Sequence, residues 1–333
     1  MTATETGAAA PAAAETPEAG AAAEAAQPQA QATPQAPETA STAAPPPAPS
    51  AAPASPASPG RPQPHALRTA AFTMSLIGLL LLGFIVYLYG LSGLAEAREQ
   101  STLYKTLAGQ LGAATAPVGA APEGSPVAII GIPKLGVSGL VVVEGTTSAD
   151  LTHGPGLLPS SAFPGQAGVS KVYGRAAMFG GPFAHLMELD RGDRITVTTG
   201  EGTSTYAVES FGDSAHPAAD PAADQLVLYT ADSAVLATDY EQVTADLVSQ
   251  PMASSGGGGT GTAVGRDAPM AGDTGVAIPL ILWAEALIAV LIGAALLARR
   301  WSPPMVLLYA TPVGLAVTWA VYENLAILLP NLY

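Results

Sequence analysis

Residues 194–211 read RITVTTGEGTSTYAVESF. Two runs rich in β-branched and aromatic residues, 194–199 and 204–211, flank the turn residues Gly200-Glu201-Gly202. Branched side chains fit a pleated surface, and glycine supplies the turn. Similar runs stand at 127–131 (VAIIG), 139–143 (LVVV after Gly139), 225–230 (QLVLYT) and 242–248 (QVTADLV). No segment among them holds a helical apolar period for three turns. Short strands at this spacing predict a mainly β domain over 126–250, a small barrel or sandwich with one core.

Working outward, the flanks change character. Residues 1–68 are almost entirely Ala, Pro, Thr, Glu, Gln and Ser. Such a segment buries too little apolar surface to offset the entropy of ordering a backbone, so it reads as a disordered tail. Residues 70–94, AAFTMSLIGLLLLGFIVYLYGLSGL, carry no charge. About 20 apolar residues cross a bilayer as a helix. The predicted spans are 69–95, 276–298 and 303–330. Ala95-Glu96-Ala97 resembles a signal-peptide cleavage site. The apolar run is longer than a signal core and 68 residues precede it, so a retained anchor is expected. Residues 96–125 and 251–275 read as linkers, the second with a flexible run at Gly256–Gly259.

Positive charge sets orientation. Arg61 and Arg68 before the first span balance Arg98 and Lys105 after it. Arg299 and Arg300, between the second and third spans, break the tie and place that loop in the cytoplasm. The tail is then cytoplasmic, and the 126–250 domain and Pro330–Tyr333 are extracytoplasmic. Two acids, Glu285 and Glu323, lie inside predicted spans. Acids are costly in hydrocarbon and mark contacts or proton paths. At ~1.5 Å per residue they stand about 21 and about 30 Å above the cytoplasmic loop. Glu323 reaches the outer interface, and Glu285 is the better candidate for a helix or partner contact.

Composition excludes several classes. The formal net charge is -14, which repels a phosphate backbone, so no nucleic-acid partner is expected. The 126–250 domain is itself acidic: Lys134, Lys171, Arg175, Arg191 and Arg194 face fourteen acids. The chain has no cysteine, hence no disulfide, thiolate metal site or cysteine nucleophile. Four scattered histidines make a metal centre unexpected, and no cofactor motif is present.

Three segments then carry a resemblance. The first is Ile132-Pro133-Lys134-Leu135-Gly136-Val137, followed by Val143-Glu144-Gly145-Thr146 and Leu151 to Gly156 (LTHGPG). The second is Pro164-Gly165-Gln166-Ala167-Gly168, then Tyr173-Gly174-Arg175 and Phe179-Gly180-Gly181-Pro182-Phe183. The third is Leu189-Asp190-Arg191-Gly192-Asp193-Arg194-Ile195, where the Arg-Gly-Asp tripeptide reads as a turn rather than an adhesion signal. In order and spacing, over about 130–248, these resemble the sortases of actinobacteria. The resemblance implies an eight-stranded sortase β-barrel outside the membrane and a cell-envelope location.

Sortases are cysteine transpeptidases: they cleave a sorting signal on a surface protein and join the new carboxyl end to an amine. A thiolate attacks, a His protonates the leaving amine and an Arg stabilises the oxyanion. The family His follows the glycine that matches Gly174, so its place is taken by Arg175. The family Cys ends the strand that matches Leu226–Thr230, which puts Ala231 there. The family Arg lies about nine residues on, at or near Tyr240. Alanine has no nucleophile, and arginine stays protonated and shuttles no proton.

The expected function is therefore a catalytically inactive sortase-like membrane protein. It binds or scaffolds beside an active sortase or surface-protein sorting signals, with a peptide groove that survives without chemistry. Arg175 and Asp232 could bridge that groove as an ion pair; the alternative is an exposed arginine and a turn aspartate. A second class is a hydrolase with another nucleophile, Ser170 or Ser233 with His153, His185 or His216. A third is a structural spacer held on three spans.

Overall fold

The computed structural model describes residues 64–333, apart from 219, 221–223, 235–236 and 254–263. Residues 1–63 of the expected tail and the Gly256–Gly259 run lie outside the described residues. Residues Pro62–Tyr333 form one compact unit.

Eight strands close a barrel: β1 Pro126–Ile132, β2 Val137–Glu144, β3 Gly156–Leu157, β4 Val169–Tyr173, β5 Arg194–Thr199, β6 Gly202–Asp213, β7 Gln225–Ala231 and β8 Tyr240–Leu247. Their order around the barrel is β1-β2-β3-β4-β7-β8-β6-β5. The expected runs thus all become strands. The quoted stretch is the antiparallel pair β5–β6, registered Ile195↔Tyr206 and Val197↔Ser204. The β2–β3 and β4–β7 pairs are parallel, and β4 and β7 run side by side from Val169↔Gln225 to Tyr173↔Tyr229.

β7 is buried along its whole length. Successive strand side chains point to opposite faces. Leu226 and Leu228 enter the barrel core with Ile130, Val142, Val172, Ile195 and Val243. Val227, Tyr229 and Ala231 face the other way, into a second cluster with Leu151, Tyr173, Ala176 and Leu332. That second face positions the site. The turn before β5 is held as expected, with Gly192 at φ 89° and the Asp193 carboxylate accepting from the Asp190 N–H at 2.8 Å.

Four helices flank the barrel: α1 Pro64–Val86, α2 Ser92–Gly112, α3 Ala277–Leu297 and α4 Pro303–Ile327. A π-helical turn, Tyr87–Leu91, joins α1 to α2. Among the described residues, three continuous helical stretches are long and apolar enough to cross a membrane: Leu67–Gly112, Thr274–Leu297 and Pro303–Ile327. α1 begins at Pro64, within the expected tail.

The expected linker 96–125 is corrected over 96–112, which is the body of α2. Its apolar residues are few but correctly spaced: Leu103 and Leu107 bury against Val141 and Val143 of β2, with Leu111 beside them. One turn earlier, the Gln100 side chain accepts from the Val141 N–H at 2.8 Å. It also donates to the carbonyls of Val141 at 3.0 Å and His153 at 2.8 Å. The amide serves both backbone groups of Val141 where β3, paired with β2 only at Val143 and Glu144, does not reach.

The helices meet the barrel through an aromatic joint. Tyr87 packs edge-on to Trp319 at 5.1 Å between centroids, and Phe84 and Tyr322 lie 5.4 Å apart. The Tyr322 hydroxyl donates to the Leu80 carbonyl at 2.6 Å. Tyr87 and Leu88 then bury against Met178, Phe179 and Ala326. The Asp273 N–H, just before α3, donates to the carbonyl of Ile327 at the end of α4. The barrel therefore sits at one end of the three apolar stretches, with Arg299 and Arg300 in the turn at the other.

Candidate functional site

The three positions singled out from the sequence converge at one end of β4, β7 and β8. Ala231 and Tyr240 are direct cross-strand partners. The Gly174 N–H donates to the Tyr229 carbonyl at 2.9 Å, which carries Arg175 up to the same end. A Cβ on Gly174 would run into the Phe183 ring, so the close approach here requires glycine.

Arg175 is neither exposed nor paired with Asp232. It is fully buried. Its Nη2 donates to the Ser148 carbonyl at 2.7 Å and to Ser148 Oγ at 2.9 Å, and its Nε donates to the Leu151 carbonyl at 3.1 Å. The guanidinium lies over the Phe179 ring, 4.9 Å from the centroid. Phe179 takes a left-handed φ of 50° to present that ring. Among the described residues Arg175 Nη1 has no partner. Burial pulls the guanidinium down from its ordinary value, to about 9, which still leaves it charged at neutral pH. Asp232 is occupied locally instead, accepting from the Thr238 N–H at 3.1 Å and Thr238 Oγ1 at 3.2 Å.

Around Ala231 the polar groups are phenols. Tyr173 and Tyr229 rings lie 4.9 Å apart, and Tyr229 and Tyr240 rings 5.6 Å apart. Burial raises all three phenols, Tyr229 to about 12; neighbouring tyrosines add in the same sense at Tyr173 and Tyr229, and Asp239 and Asp213 do so at Tyr240. A phenol this reluctant to ionise is neither a nucleophile nor a general base near neutral pH.

The remaining candidates are dispersed. His185 pairs with Glu188 at 2.8 Å, His216 with Asp213 at 3.3 Å, and His153 stands 3.9 Å from Glu99. Ser170 is buried within β4, opposite Leu226, and Ser233 follows Asp232 in the β7–β8 connection. No cluster of metal-ligating side chains occurs among the described residues. Glu323 accepts from the Trp319 indole at 2.6 Å and lines a cleft of about 360 Å³ with Glu99, His153 and Phe179 at the joint. Glu285 is exposed on α3 and has no hydrogen-bond or ion-pair partner among the described residues.

Sequence reasoning missed the residues that close the site. The chain turns back after α4, and Leu332 enters the cluster beside Ala231 and Tyr229, fully buried. The Ala176 N–H, next to Arg175, donates to the Leu332 carbonyl at 2.9 Å. Asn331 is also fully buried; its side-chain amide donates to the carbonyls of Thr146 at 2.8 Å and Ala268 at 3.1 Å. Ser148 Oγ donates to the Leu329 carbonyl at 3.1 Å. The six residues after α4, 328–333, give no local signal of this.

A closed eight-stranded barrel, joined to helices long enough for a membrane, is the class that the fold defines. Residues 130–242 match the family model described as Sortase domain, and the barrel belongs to the sortase family. No curated protein matches the chain. Among solved structures, the chain is similar to sortase E from Streptomyces avermitilis. Identity there is 27%, over 39% of this chain and 93% of that one, with a TM-score of 0.35. It is also similar to sortase A from Corynebacterium diphtheriae, at 21% identity over 45% and 85% of the two chains, TM-score 0.35. For the Clostridium perfringens sortase D5 transpeptidase the values are 24%, 38% and 81%, with a TM-score of 0.34.

Proposed function

We propose that this protein is a sortase-family membrane protein without transpeptidase activity, acting as a binding or scaffold module in surface-protein sorting. The observation that carries the reading is a chain without cysteine, with Ala231, Arg175 and Tyr240 at the positions that the resemblance assigns to the nucleophile, proton donor and oxyanion partner. The charge of Arg175 supports it. That side chain is bound to two backbone carbonyls and is not free to move a proton. The barrel faces the outside and the residues before α1 the cytoplasm; the support is the Arg299–Arg300 turn at the end of the helices away from the barrel.

Photo-crosslinking in native membranes from a probe at Tyr240 tests the partner class. The expected result is a crosslink to a surface-protein precursor or to an active sortase. Crosslinks confined to lipid and to the chain itself would overturn the scaffold role. They would favour a barrel that serves as a fixed spacer, a reading for which the buried Leu332 is the specific observation.

A further inference from the structure

We infer that the groove between α1 and the α3–α4 pair, with the cleft at its barrel end, seats one molecule of phosphatidylethanolamine, an acyl chain lying between the helices and the ammonium headgroup against Glu99 and Glu323. The inference goes beyond the sorting role above and does not depend on it.

Two cavities share a wall. One is a groove of about 560 Å³ lined mostly by aliphatic side chains and glycine, among them Leu80 and Gly83 of α1, Val290 and Ala294 of α3, and Gly314 and Leu315 of α4. The other is the cleft of about 360 Å³ at the helix–barrel joint, which holds Glu99, His153 and Glu323. Tyr87 lines both. Trp319 lines the groove, and its indole N–H donates to Glu323 in the cleft at 2.6 Å. An apolar slot that opens at one end onto a few polar groups has the polarity of a single lipid molecule.

The width of the slot selects a chain over a helix. Its walls meet where the Tyr322 hydroxyl donates to the Leu80 carbonyl at 2.6 Å, and a Cβ on Gly83 would stand 2.8 Å from that hydroxyl. A partner helix, about 10–12 Å across, does not enter a slot closed in this way, whereas an acyl chain does. Along α4 the slot runs from Ala310 to Tyr322, about 18 Å of helix, and half of a hydrocarbon core is about 15 Å deep.

The headgroup follows from the charge of the cleft. Trp319 occupies Glu323 Oε1 and leaves Oε2 open. His153 stands 3.9 Å from Glu99, beyond hydrogen-bond distance. Two carboxylates short of donors match an ammonium group with three N–H bonds. A phosphatidylglycerol headgroup is anionic and is repelled there, and the quaternary ammonium of phosphatidylcholine has no N–H to donate. Tyr87 supplies the third contact. It is 1% exposed, yet its hydroxyl makes no hydrogen bond among the described residues. A buried hydroxyl without a partner is costly, and this one lies where the groove meets the cleft, in place to donate to a phosphate or ester oxygen of the lipid.

The full chain in nanodiscs of equimolar phosphatidylethanolamine, phosphatidylcholine and phosphatidylglycerol, released for native mass spectrometry, tests this through the lipid that each chain retains. The expected result is one retained lipid, with phosphatidylethanolamine enriched about fivefold over its share of the bilayer, the order of one charge pair at a surface. Glu99→Gln with Glu323→Gln should keep the lipid and bring the headgroups to equal shares. Glu99→Gln alone, with a smaller fall in preference, serves should the pair disturb folding. Gly314→Leu should remove the retained lipid whatever its headgroup; a Cβ at that position meets the Val290 side chain only at 4.0 Å, so the helix accepts it and the added side chain fills the slot. Retention in bilayer proportions, enrichment of either other lipid, or a preference that survives the glutamine substitutions would overturn the headgroup assignment. Retention unchanged in Gly314→Leu would overturn the seat between the helices.

Discussion

Replacing Arg175 probes the centre of the site. Its three donated hydrogen bonds come from a charged group, and such bonds contribute ~1.5–3 kcal/mol each. Against that gross gain stands the cost of burying an ion without a carboxylate partner, which is several kcal/mol. Arg175→Met keeps much of the volume and relieves the desolvation, but it leaves two buried carbonyls without their donor at ~1–3 kcal/mol each. The net expectation is a loss of about 1–3 kcal/mol. Arg175→Ala adds a cavity and brings the loss to about 3–5 kcal/mol. Arg175→Lys keeps a point charge that cannot fork to Ser148 and Leu151 together, and falls between wild type and Met. At roughly 4 °C per kcal/mol for a domain of this size, the Ala variant melts about 12–20 °C lower. Circular dichroism of the β-barrel in detergent measures this. Hydrogen exchange over 328–333 rises in parallel, because Ser148 loses its anchor. An Arg175→Met protein at least as stable as wild type would refute the bracing role.

Glu144 is buried at the end of β2, and burial, with Asp150 adding to it, lifts its carboxyl to about 7. A group whose folded-state value is raised holds its proton more tightly when folded. Its contribution to stability is therefore full at low pH and declines as pH rises from about 4.5 to about 7, by about 1–3 kcal/mol. Glu144→Gln should flatten that decline in melting curves taken from pH 5 to pH 8; an unchanged slope would assign it to other groups. Gln100→Ala removes the clamp between α2 and β2 and should cost about 1–3 kcal/mol, with faster proteolysis in α2 and faster amide exchange at Val141. Glu285→Leu should abolish any helix pairing made through α3 in the membrane, read by crosslinking between chains or to a partner; unchanged crosslinking would leave that acid without a contact role.

The strands that the sequence displays are those with their own local signal. The 194–199 and 225–230 runs are rich in branched residues, and both become strands at those positions. β3 and β4 show little. β3 is two residues long, and β4, VSKVY, carries one polar residue on each face, Ser170 on the side of Val172 and Lys171 between Val169 and Tyr173, so it shows no polar–apolar alternation. Their pairings to β2 and β7 are parallel and distant in sequence, so no turn announces them. α2 was hidden by its polarity. Its signal is only the spacing of Leu103, Leu107 and Leu111, one stripe that needs the β2 valines to give it meaning. At the site, positions 175, 231 and 240 were legible through the family pattern. The burial of Arg175 was not, since a lone arginine reads as solvated until the Ser148 and Leu151 carbonyls are brought to it across the fold. Leu332 was less legible still: its partner surface is built from β4, β7 and the 145–153 connection, none of them near it in the chain.

Mass spectrometry of sorting-signal peptides held with the purified full chain and an amine acceptor weighs most directly on whether the barrel retains bond-breaking chemistry. The peptides should stay intact over a time in which an active sortase converts them fully, and Tyr240→Phe should change nothing. Any new carboxyl–amine ligation product, or hydrolysed peptide above the no-protein control, would contradict the account.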